Sequence, residues 1–273
     1  MNKSGIFARN NINIIGSGDK TLLLAHGFGC DQTMWRFMLP KLQSQFKVIL
    51  FDYVGCGGSD LSAFSKARYS TLEGYAKDIE DILITLDLRN VSVVGHSVSS
   101  MIAGIASMNT ENRISDITMI CPSPCFMNDL PDYVGGFEKQ DLEELINLMD
   151  KNYIGWASYL APLVMGANHS PELIGELSGS FCSTDPTFAK TFAKATFFSD
   201  HRNLLEKIQN PVLILQSTDD LLAPVKVGEY MVNNMPNCQL NIIEAEGHCL
   251  HMTKPDLIAP RIIDFINLNQ SKT

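Results

Sequence analysis

The chain contains 273 residues, of which 45% are hydrophobic and 19% are charged, and its formal net charge is -9. This balance is typical of a globular protein with a sizeable core, and an α/β chain of this length can fold as one domain. The negative charge and the lack of a basic cluster argue against binding to nucleic acid or to an anionic membrane surface.

Seven cysteines are scattered along the chain, and Cys121 and Cys125 are separated by two prolines without a second pair at zinc-ligand spacing. We therefore expect reduced thiols in a cytoplasmic protein, with no metal and no other cofactor. The first residues lack the apolar core of a signal peptide, and no uncharged apolar stretch approaches the roughly 18 residues of a membrane span.

Short apolar runs alternate with helical patterns in the first part of the chain. The strand pattern occurs at residues 12–15, 21–25, 47–51, 91–94 and 117–120. Residues 31–43 are predicted to form a helix, and residues 71–86 an amphipathic helix that Thr71 can cap. Strands that alternate with helices predict a parallel sheet covered on both faces.

This alternation stops after Cys121. Four short helices are predicted there, at residues 138–150, 153–165, 171–182 and 186–198. Strands then resume at residues 211–216 and 239–243, with helices at 225–235 and 255–268. We predict one α/β core domain, residues 1–125 and 200–273, interrupted by a helical lid of residues 126–199. An insertion after a strand lies above the sheet edge where open α/β sheets bind ligands.

Residues 95–99 read Gly-His-Ser-Val-Ser and join a predicted strand to a helix-like stretch of small residues. A serine flanked by small residues in a strand–turn–helix is the pattern of a nucleophile elbow, which holds the hydroxyl of Ser97 above the sheet edge. The N-terminus of the next helix then favours a developing negative charge. The general motif ends in glycine where this chain has Ser99, so the pentapeptide alone also fits a plain turn.

An acid and a histidine follow the last two predicted strands, in the chain order that such an elbow requires. The acid is Asp219 or Asp220, and we favour Asp220 because Pro224 follows it by four positions. Serine becomes a nucleophile when a neutral imidazole takes its proton, and a carboxylate fixes the tautomer of that imidazole. We therefore predict a catalytic triad of Ser97, Asp220 and His248.

Two backbone N–H groups are predicted to bind the oxyanion, one from Val98 and one from Phe28 in the glycine-rich loop after the second strand. Three other histidines lie near these motifs without being the preferred base. We expect His26 to brace the oxyanion loop, His96 to point into the interior, and His251 to begin the last helix or to pack near the site.

Five segments carry a resemblance to a known family. They are residues 26–32 (HGFGCDQ), 95–100 (GHSVSS), 121–126 (CPSPCF), 132–137 (DYVGGF) and 246–252 (EGHCLHM). Together they resemble the α/β-hydrolase superfamily and, within it, the RsbQ-like bacterial stress-signalling hydrolases and the plant strigolactone and karrikin receptors. The resemblance implies the α/β-hydrolase fold: a mostly parallel eight-stranded sheet with helices on both faces. It also implies a V-shaped four-helix lid, inserted after the strand at 116–121, above a small apolar pocket.

The lid is rich in large apolar residues that could face the nucleophile. They are Phe126, Phe137, Trp156, Tyr159, Leu160, Phe181, Phe188, Phe192 and Phe197. We predict that a small hydrophobic ligand contacts Phe28, Phe126, Phe137, Trp156, Tyr159 and Phe192. Helices this short must also bury aromatic residues simply to pack, so the composition alone does not separate the two roles.

These motifs predict a serine hydrolase that acts on a small apolar ester or lactone. The resemblance further implies positive regulation of the general stress sigma factor, with a PAS-domain phosphatase (RsbP-like) as partner. A ligand-binding signalling module with little turnover and an ordinary metabolic carboxylesterase are the alternatives. A dehalogenase or epoxide hydrolase would need aspartate in place of Ser97, whereas a cofactor-free perhydrolase or haloperoxidase uses the same triad and stays open.

Overall fold

Seven strands form one sheet in the computed structural model, which describes residues 2–166 and 168–270. The strands are β1 (Asn13–Ile15), β2 (Lys20–Ala25), β3 (Phe46–Leu50), β4 (Val91–His96), β5 (Ile114–Ile120), β6 (Val212–Asp219) and β7 (Cys238–Glu246). Their spatial order is β1-β3-β2-β4-β5-β6-β7, and β1 alone runs antiparallel to its neighbour. The fold is therefore the predicted α/β-hydrolase fold.

The predicted number of eight strands was wrong for the described residues. The segment before β1 forms helix α1 (Lys3–Arg9) instead of a further strand. Asn2 caps this helix, because its side chain accepts a hydrogen bond from the backbone N–H of Gly5 at 2.9 Å. The sheet consequently ends at β1.

The central strands are buried on both faces, which explains why they read as continuous apolar runs. All six residues of β4 are buried. Alternate residues of β2 belong to different apolar clusters, Leu22 and Leu24 to one and Leu23 to the other. Strands β2 to β7 all run parallel. Their carboxyl ends, and the loops that follow them, therefore lie at one edge of the sheet.

Helices cover both faces of the sheet. Those of the core are α2 (Leu39–Leu42), α3 (Lys66–Tyr69), α4 (Leu72–Thr85), α5 (Val98–Asn109), α10 (Val225–Asn234), α11 (Leu250–Thr253) and α12 (Pro255–Gln270), with 3-10 turns at Gln32–Trp35, Leu61–Ala63 and Arg202–Lys207. Thr71 occupies the N-cap position of α4, although its side chain makes no capping hydrogen bond to the backbone. Within the described part of the chain, no helix has the length and hydropathy to span a membrane.

The single helix predicted over residues 31–43 was wrong. The segment forms the 3-10 turn Gln32–Trp35, which Asp31 caps, and then the short helix α2. Pro40 lies in the first turn of α2. Proline has no N–H to donate to the preceding turn, so one continuous helix through this position is disfavoured.

Four helices lie between β5 and β6 in the described residues: α6 (Lys139–Lys151), α7 (Tyr153–Met165), α8 (Pro171–Ser183) and α9 (Pro186–Phe197). The chain leaves the core and returns to it at one point, where Cys125 and Asp200 form an antiparallel bridge. The backbone N–H of His201 also donates to the carbonyl of Pro124 at 2.8 Å. These helices form a lid above the carboxyl edge of the sheet.

Candidate active site

Ser97 lies in the sharp turn between β4 and α5. Its φ is 55° and its ψ is -122°, and its backbone N–H donates to the carbonyl of Ile120 at 2.8 Å. Glycine is required two positions earlier, because a Cβ on Gly95 would lie 2.5 Å from the carbonyl oxygen of Ser99. This close approach of strand and helix produces the predicted strained elbow.

Serine at the fifth position of the elbow motif has a structural role of its own. The Ser99 hydroxyl is buried and donates to the carbonyl of His26 at 2.5 Å, and it also lies 2.9 Å from the hydroxyl of Tyr53. Glycine could not make these contacts. Ser99 therefore joins the elbow helix to the loop that follows β2.

The three predicted triad residues lie together in hydrogen-bonding contact. Nε2 of His248 is 2.7 Å from Oγ of Ser97, and Nδ1 is 2.7 Å from Oδ2 of Asp220. The other carboxylate oxygen of Asp220 accepts the backbone N–H groups of Leu222 and Ala223 at 2.9 and 3.1 Å. With Nδ1–H donating to the carboxylate, Nε2 is the acceptor for the serine proton.

The structure also separates the two candidate acids. Asp220 is buried, whereas Asp219 is exposed and pairs in register with Glu246 of β7. The register of β6 shifts between Ser217 and Asp219, and this β-bulge turns the next side chain towards the histidine. Asp220 is thus the residue that contacts His248.

The oxyanion loop follows β2 and packs against the elbow. A Cβ on Gly27 would lie 2.4 Å from Nδ1 of His96, so only glycine lets the loop approach this closely. His26 braces the loop as predicted: Nδ1 bonds to the carbonyl of Gly27 at 2.9 Å, and Nε2 accepts the backbone N–H of Tyr53 at 3.2 Å. Burial lowers the pKa of His26, which keeps its ring neutral for both contacts.

The loop that carries the catalytic histidine is attached to the lid. The backbone N–H of His248 donates to the carbonyl of Val164 in α7 at 2.7 Å. Gly247 has φ 87°, and a Cβ there would lie 2.0 Å from the carbonyl oxygen of Met165. Its own N–H donates to the carbonyl of Asp219 at 2.7 Å, so the acid loop, the histidine loop and α7 form one bonded unit.

A small cavity of about 20 Å³ adjoins Ser97 and His248. Its lining also includes Phe28, Cys30, His96, Phe126, Leu160, Val164, Leu177, Phe181, Thr196, Phe197, Leu222 and Cys249. A space of this size holds about one water molecule. The lid is therefore closed over the triad, and the walls are mainly apolar.

Comparison with known proteins agrees with this geometry. The model of the alpha/beta hydrolase family matches residues 22–261. The chain belongs to this family. It is 39% identical over 259 residues to "Karrikin insensitive 2 receptor CA" of Petunia hybrida, covering 94% of this chain and 96% of that protein. It is 34% identical over 260 residues to "Strigolactone esterase D14" of Arabidopsis thaliana, covering 95% and 97%.

A solved structure is more similar still. It is that of olei00960, a hydrolase from Oleispira antarctica, with 72% sequence identity and a TM-score of 0.97. The match covers 98% of each chain. Together with relatives named as esterases, this similarity supports a hydrolase of the esterase type.

The pocket residues of this hydrolase were predicted only in part. Phe28 and Phe126 line the cavity. Trp156 and Phe192 form a second layer, with ring centroids 6.0 and 5.7 Å from that of Phe28, and do not line it directly. The contributions of Val164, Leu177 and Leu222 were missed, since single aliphatic residues carry no signal that separates a cavity wall from ordinary core.

Phe137 and Tyr159 do not line the cavity beside Ser97, and their contact with a substrate stays a prediction. Both line a separate outer groove, and Tyr159 is 58% exposed. Tyr159 and Leu160 are neighbours in α7, so the rotation of that helix that buries Leu160 at 4% exposure turns Tyr159 outwards.

The outer groove measures about 600 Å³ and shares two residues with the cavity. Its lining consists of Gly136, Phe137, Asp141, Glu144, Leu145, Leu148, Tyr159, Leu160, Leu163, Leu221 and Leu222. Leu160 and Leu222 border both spaces, so their side chains form the partition between them. The groove is apolar with two carboxylates, and its lining includes no lysine or arginine.

Two neutral histidines support the site from below. His96 is buried, and its Nε2 lies 2.9 Å from the carbonyl oxygen of His248. His251 is also buried, with its ring 4.3 Å from that of His96 and 4.9 Å from that of Trp35. Burial lowers the pKa of His96 well below its ordinary value and the pKa of His251 to about 3. Both therefore pack as uncharged rings, as expected.

Among the described residues, two groups of side chains have donor atoms within 4.8 Å of one another, the spacing at which a metal could be considered. One group is His96, Cys249 and His251, and the other joins Cys121 to Asp220 and His248. In the first group, Nε2 of His96 is bonded to a carbonyl, and its Nδ1 faces the Cα of Gly27. In the second, the carboxylate and imidazole are already bonded to each other. A metal ion in the second group would have to displace that bond, whereas in the first group Nδ1 of His96 and both ring nitrogens of His251 make no hydrogen bond to the part of the chain that the structure describes.

Proposed function

We propose that this chain is a serine hydrolase that cleaves a small apolar ester or lactone. The observation that carries the proposal is the unbroken hydrogen-bond chain from Asp220 through His248 to Ser97, with both links at 2.7 Å. Its position at the sheet edge, beneath a lid and beside an apolar cavity, supports hydrolysis of a carbonyl substrate.

The proposed reaction has two halves. Ser97 attacks the carbonyl carbon while His248 takes the hydroxyl proton, and the backbone N–H groups of Phe28 and Val98 bind the oxyanion. His248 then gives the proton to the departing alcohol, which leaves Ser97 acylated. Water, activated by His248, attacks the ester in the same way and releases the acid. Each oxyanion donor in such sites contributes on the order of 10²–10³ in rate.

The partition residues indicate the substrate class. The closed cavity is too small for an acyl chain, so part of its wall must move when substrate binds, and movement of Leu160 or Leu222 would join the cavity to the outer groove. An ester with an apolar leaving group would then place its acyl part beside Ser97 and its leaving group among the leucines. Asp141 and Glu144 disfavour an anionic leaving group there.

The test compares wild type with Ser97→Ala, using Ser183→Ala on the exposed face of the lid as a matched control. Each protein is treated with a sulfonyl fluoride and, separately, with p-nitrophenyl acetate, and intact mass and released nitrophenol are measured. We expect an adduct and turnover in wild type and Ser183→Ala, and neither in Ser97→Ala. Wild-type turnover by Ser97→Ala would refute the proposal.

A signalling role is the second candidate, because three relatives are named as receptors and the cavity is nearly closed. We propose that slow hydrolysis in the cytoplasm changes the lid and thereby the affinity for a protein partner. The resemblance to RsbQ-like proteins makes a PAS-domain phosphatase the proposed partner and the general stress sigma factor the proposed target. The test measures affinity for such a phosphatase before and after acylation. Rapid multiple turnover with unchanged affinity would favour an ordinary metabolic carboxylesterase.

A further inference from the structure

Cys121 stands in a backbone conformation that side-chain-bearing residues avoid. It follows β5 directly, its φ is 48°, and its N–H donates to the carbonyl of Leu215 at 2.9 Å. A Cβ in this left-handed region crowds the backbone, so glycine is the unstrained residue here. Backbone strain of this kind persists where the surrounding structure or function uses the side chain.

The thiol of Cys121 is fully buried beside the triad acid. Its Sγ, a carboxylate oxygen of Asp220 and a ring nitrogen of His248 lie within 4.8 Å of one another. Burial raises the pKa of the thiol well above its ordinary value, the charge of Asp220 and a hydrogen bond to it raise it further, and the backbone N–H of Ser217 acts in the opposite direction. The sulfur therefore keeps its proton, so the group beside the carboxylate is a neutral S–H.

Cys121 lies beside the β-bulge of β6 that directs the acid. The register shift falls between Ser217 and Asp219, and before it the carbonyl of Leu215 accepts the backbone N–H of Cys121 at 2.9 Å. Beyond the bulge, Asp220 uses one oxygen for two backbone N–H groups and the second for His248. The backbone of Cys121 is thus bonded to β6 on one side of this irregular segment, and its sulfur lies within 4.8 Å of a carboxylate oxygen of the acid on the other side.

We propose that Cys121 is a positioning residue for the triad: its thiol donates to Asp220 and holds the carboxylate in the plane of the His248 imidazole. This inference rests on the proposed hydrolase function. It accounts for a strained cysteine at a position where glycine would fit the backbone better. Loss of the thiol would leave the triad residues in place but less well oriented, which lowers kcat more than it raises KM.

Three substitutions at Cys121 distinguish the effect of the thiol from the effect of the backbone strain. Cys121→Ser keeps a donor, Cys121→Ala keeps the Cβ without a donor, and Cys121→Gly removes both the donor and the strain. With p-nitrophenyl acetate we expect kcat to fall about tenfold in the alanine and glycine variants with KM unchanged, and to return to within about threefold of wild type in the serine variant. The glycine variant should also unfold at a higher temperature than the alanine variant.

A spectroscopic measurement keeps the inference testable without turnover. The Nδ1 proton that His248 shares with Asp220 gives a far-downfield proton NMR resonance, which we expect to shift or broaden in the alanine and glycine variants and to persist in the serine variant. An alanine variant with wild-type kcat and an unchanged resonance would overturn the inference. A wild-type protein without turnover or sulfonyl adduct, but with the same pattern of resonances, would refute only the hydrolase function.

Discussion

The two sides of the active site are built differently. Below Ser97, helix α5 buries nine of its twelve residues between the sheet and neighbouring helices. Above it, lid helix α8 buries only Leu177 and Phe181 among thirteen residues. The groups that perform chemistry thus lie on densely packed elements, whereas one wall of the substrate cavity lies on a sparsely packed helix. Precise geometry is needed for proton transfer, and an adaptable wall is needed for substrate to enter.

The lid itself divides in the same way. Helix α7 is bonded to the catalytic loop through the carbonyl of Val164 and packs against Gly247. The described polar contacts of helix α8 with the core are the Arg36–Glu176 ion pair and the bond from the Ser180 hydroxyl to the carbonyl of Gly29 at 2.8 Å, and Phe181 adds an apolar contact with Phe28. Exposed ion pairs contribute little to stability. We infer that α8 is the part of the lid that moves most easily.

The largest expected effect concerns the densely packed side of the active site, where it compares two acids that are adjacent in the chain. Asp220→Asn should lower kcat on the order of 10⁴-fold, because an amide no longer fixes the tautomer of His248. Asp219→Asn is the matched control, since that side chain is exposed, and its kcat should stay within about twofold of wild type. Steady-state ester hydrolysis by both variants measures this, and equal losses in the two would contradict the assignment of the acid.

Burial of His251 on the densely packed side predicts that the folded protein loses stability in acid. With its pKa lowered to about 3, His251 stays neutral in the folded protein, whereas it takes up a proton in the unfolded chain below about pH 6.5. The contribution of His251 to the free energy of unfolding is therefore constant above about pH 6.5. As the pH falls from there towards 3, the free energy of unfolding decreases. His251→Gln should flatten the fall in unfolding free energy by up to about 1.4 kcal/mol per pH unit. Urea unfolding between pH 6.5 and 4 measures it, and an unchanged slope would contradict the burial argument.

The partition between cavity and groove gives a second test of where substrate enters, because Leu160 belongs to α7 and Leu222 to the acid loop, and neither lies on α8. Leu160→Ala and Leu222→Ala should each raise kcat/KM for p-nitrophenyl hexanoate several-fold relative to the acetate ester, because they open the cavity to the groove. Leu163→Ala is the control, since Leu163 lines the groove alone. Thermal unfolding identifies any variant whose core has loosened. An equal chain-length preference in all three variants would show that substrate does not pass this partition.

The smallest effect compares one glycine from each side. A Cβ on Gly179 of α8 meets nothing within 4 Å, so Gly179→Ala should stabilise that helix by up to about 1 kcal/mol. A Cβ on Gly104 of α5 would lie 2.7 Å from the Cδ1 of Ile208, which would have to shift, so Gly104→Ala should stabilise the protein less than Gly179→Ala does. Hydrogen exchange in α8 and global unfolding distinguish the two. Destabilisation by Gly179→Ala would show that α8 is packed more tightly than its contacts indicate.

The central strands, the positions of Ser97 and His248, and the lid helices could be predicted from the sequence. The continuous apolar runs predicted the central strands, because strands buried on both faces have no polar face to alternate with. The positions of Ser97 and His248 followed from the chain order of elbow and strand ends, because parallel strands end at one edge. The four lid helices were also predicted to within a residue or so at each end, in a segment where the strand pattern stops.

Tertiary structure decided the rest. Asp220 contacts the histidine, and Asp219 does not, because a β-bulge in β6 turns one of two adjacent carboxylates inwards. Tyr159 faces outwards and Leu160 inwards because the packing of α7 against its neighbours fixes the rotation of a helix that is apolar all round. Local sequence specifies which segments are helices and strands. The direction in which each side chain points depends on contacts between segments distant in the chain, and these contacts form only when the sheet and lid pack together.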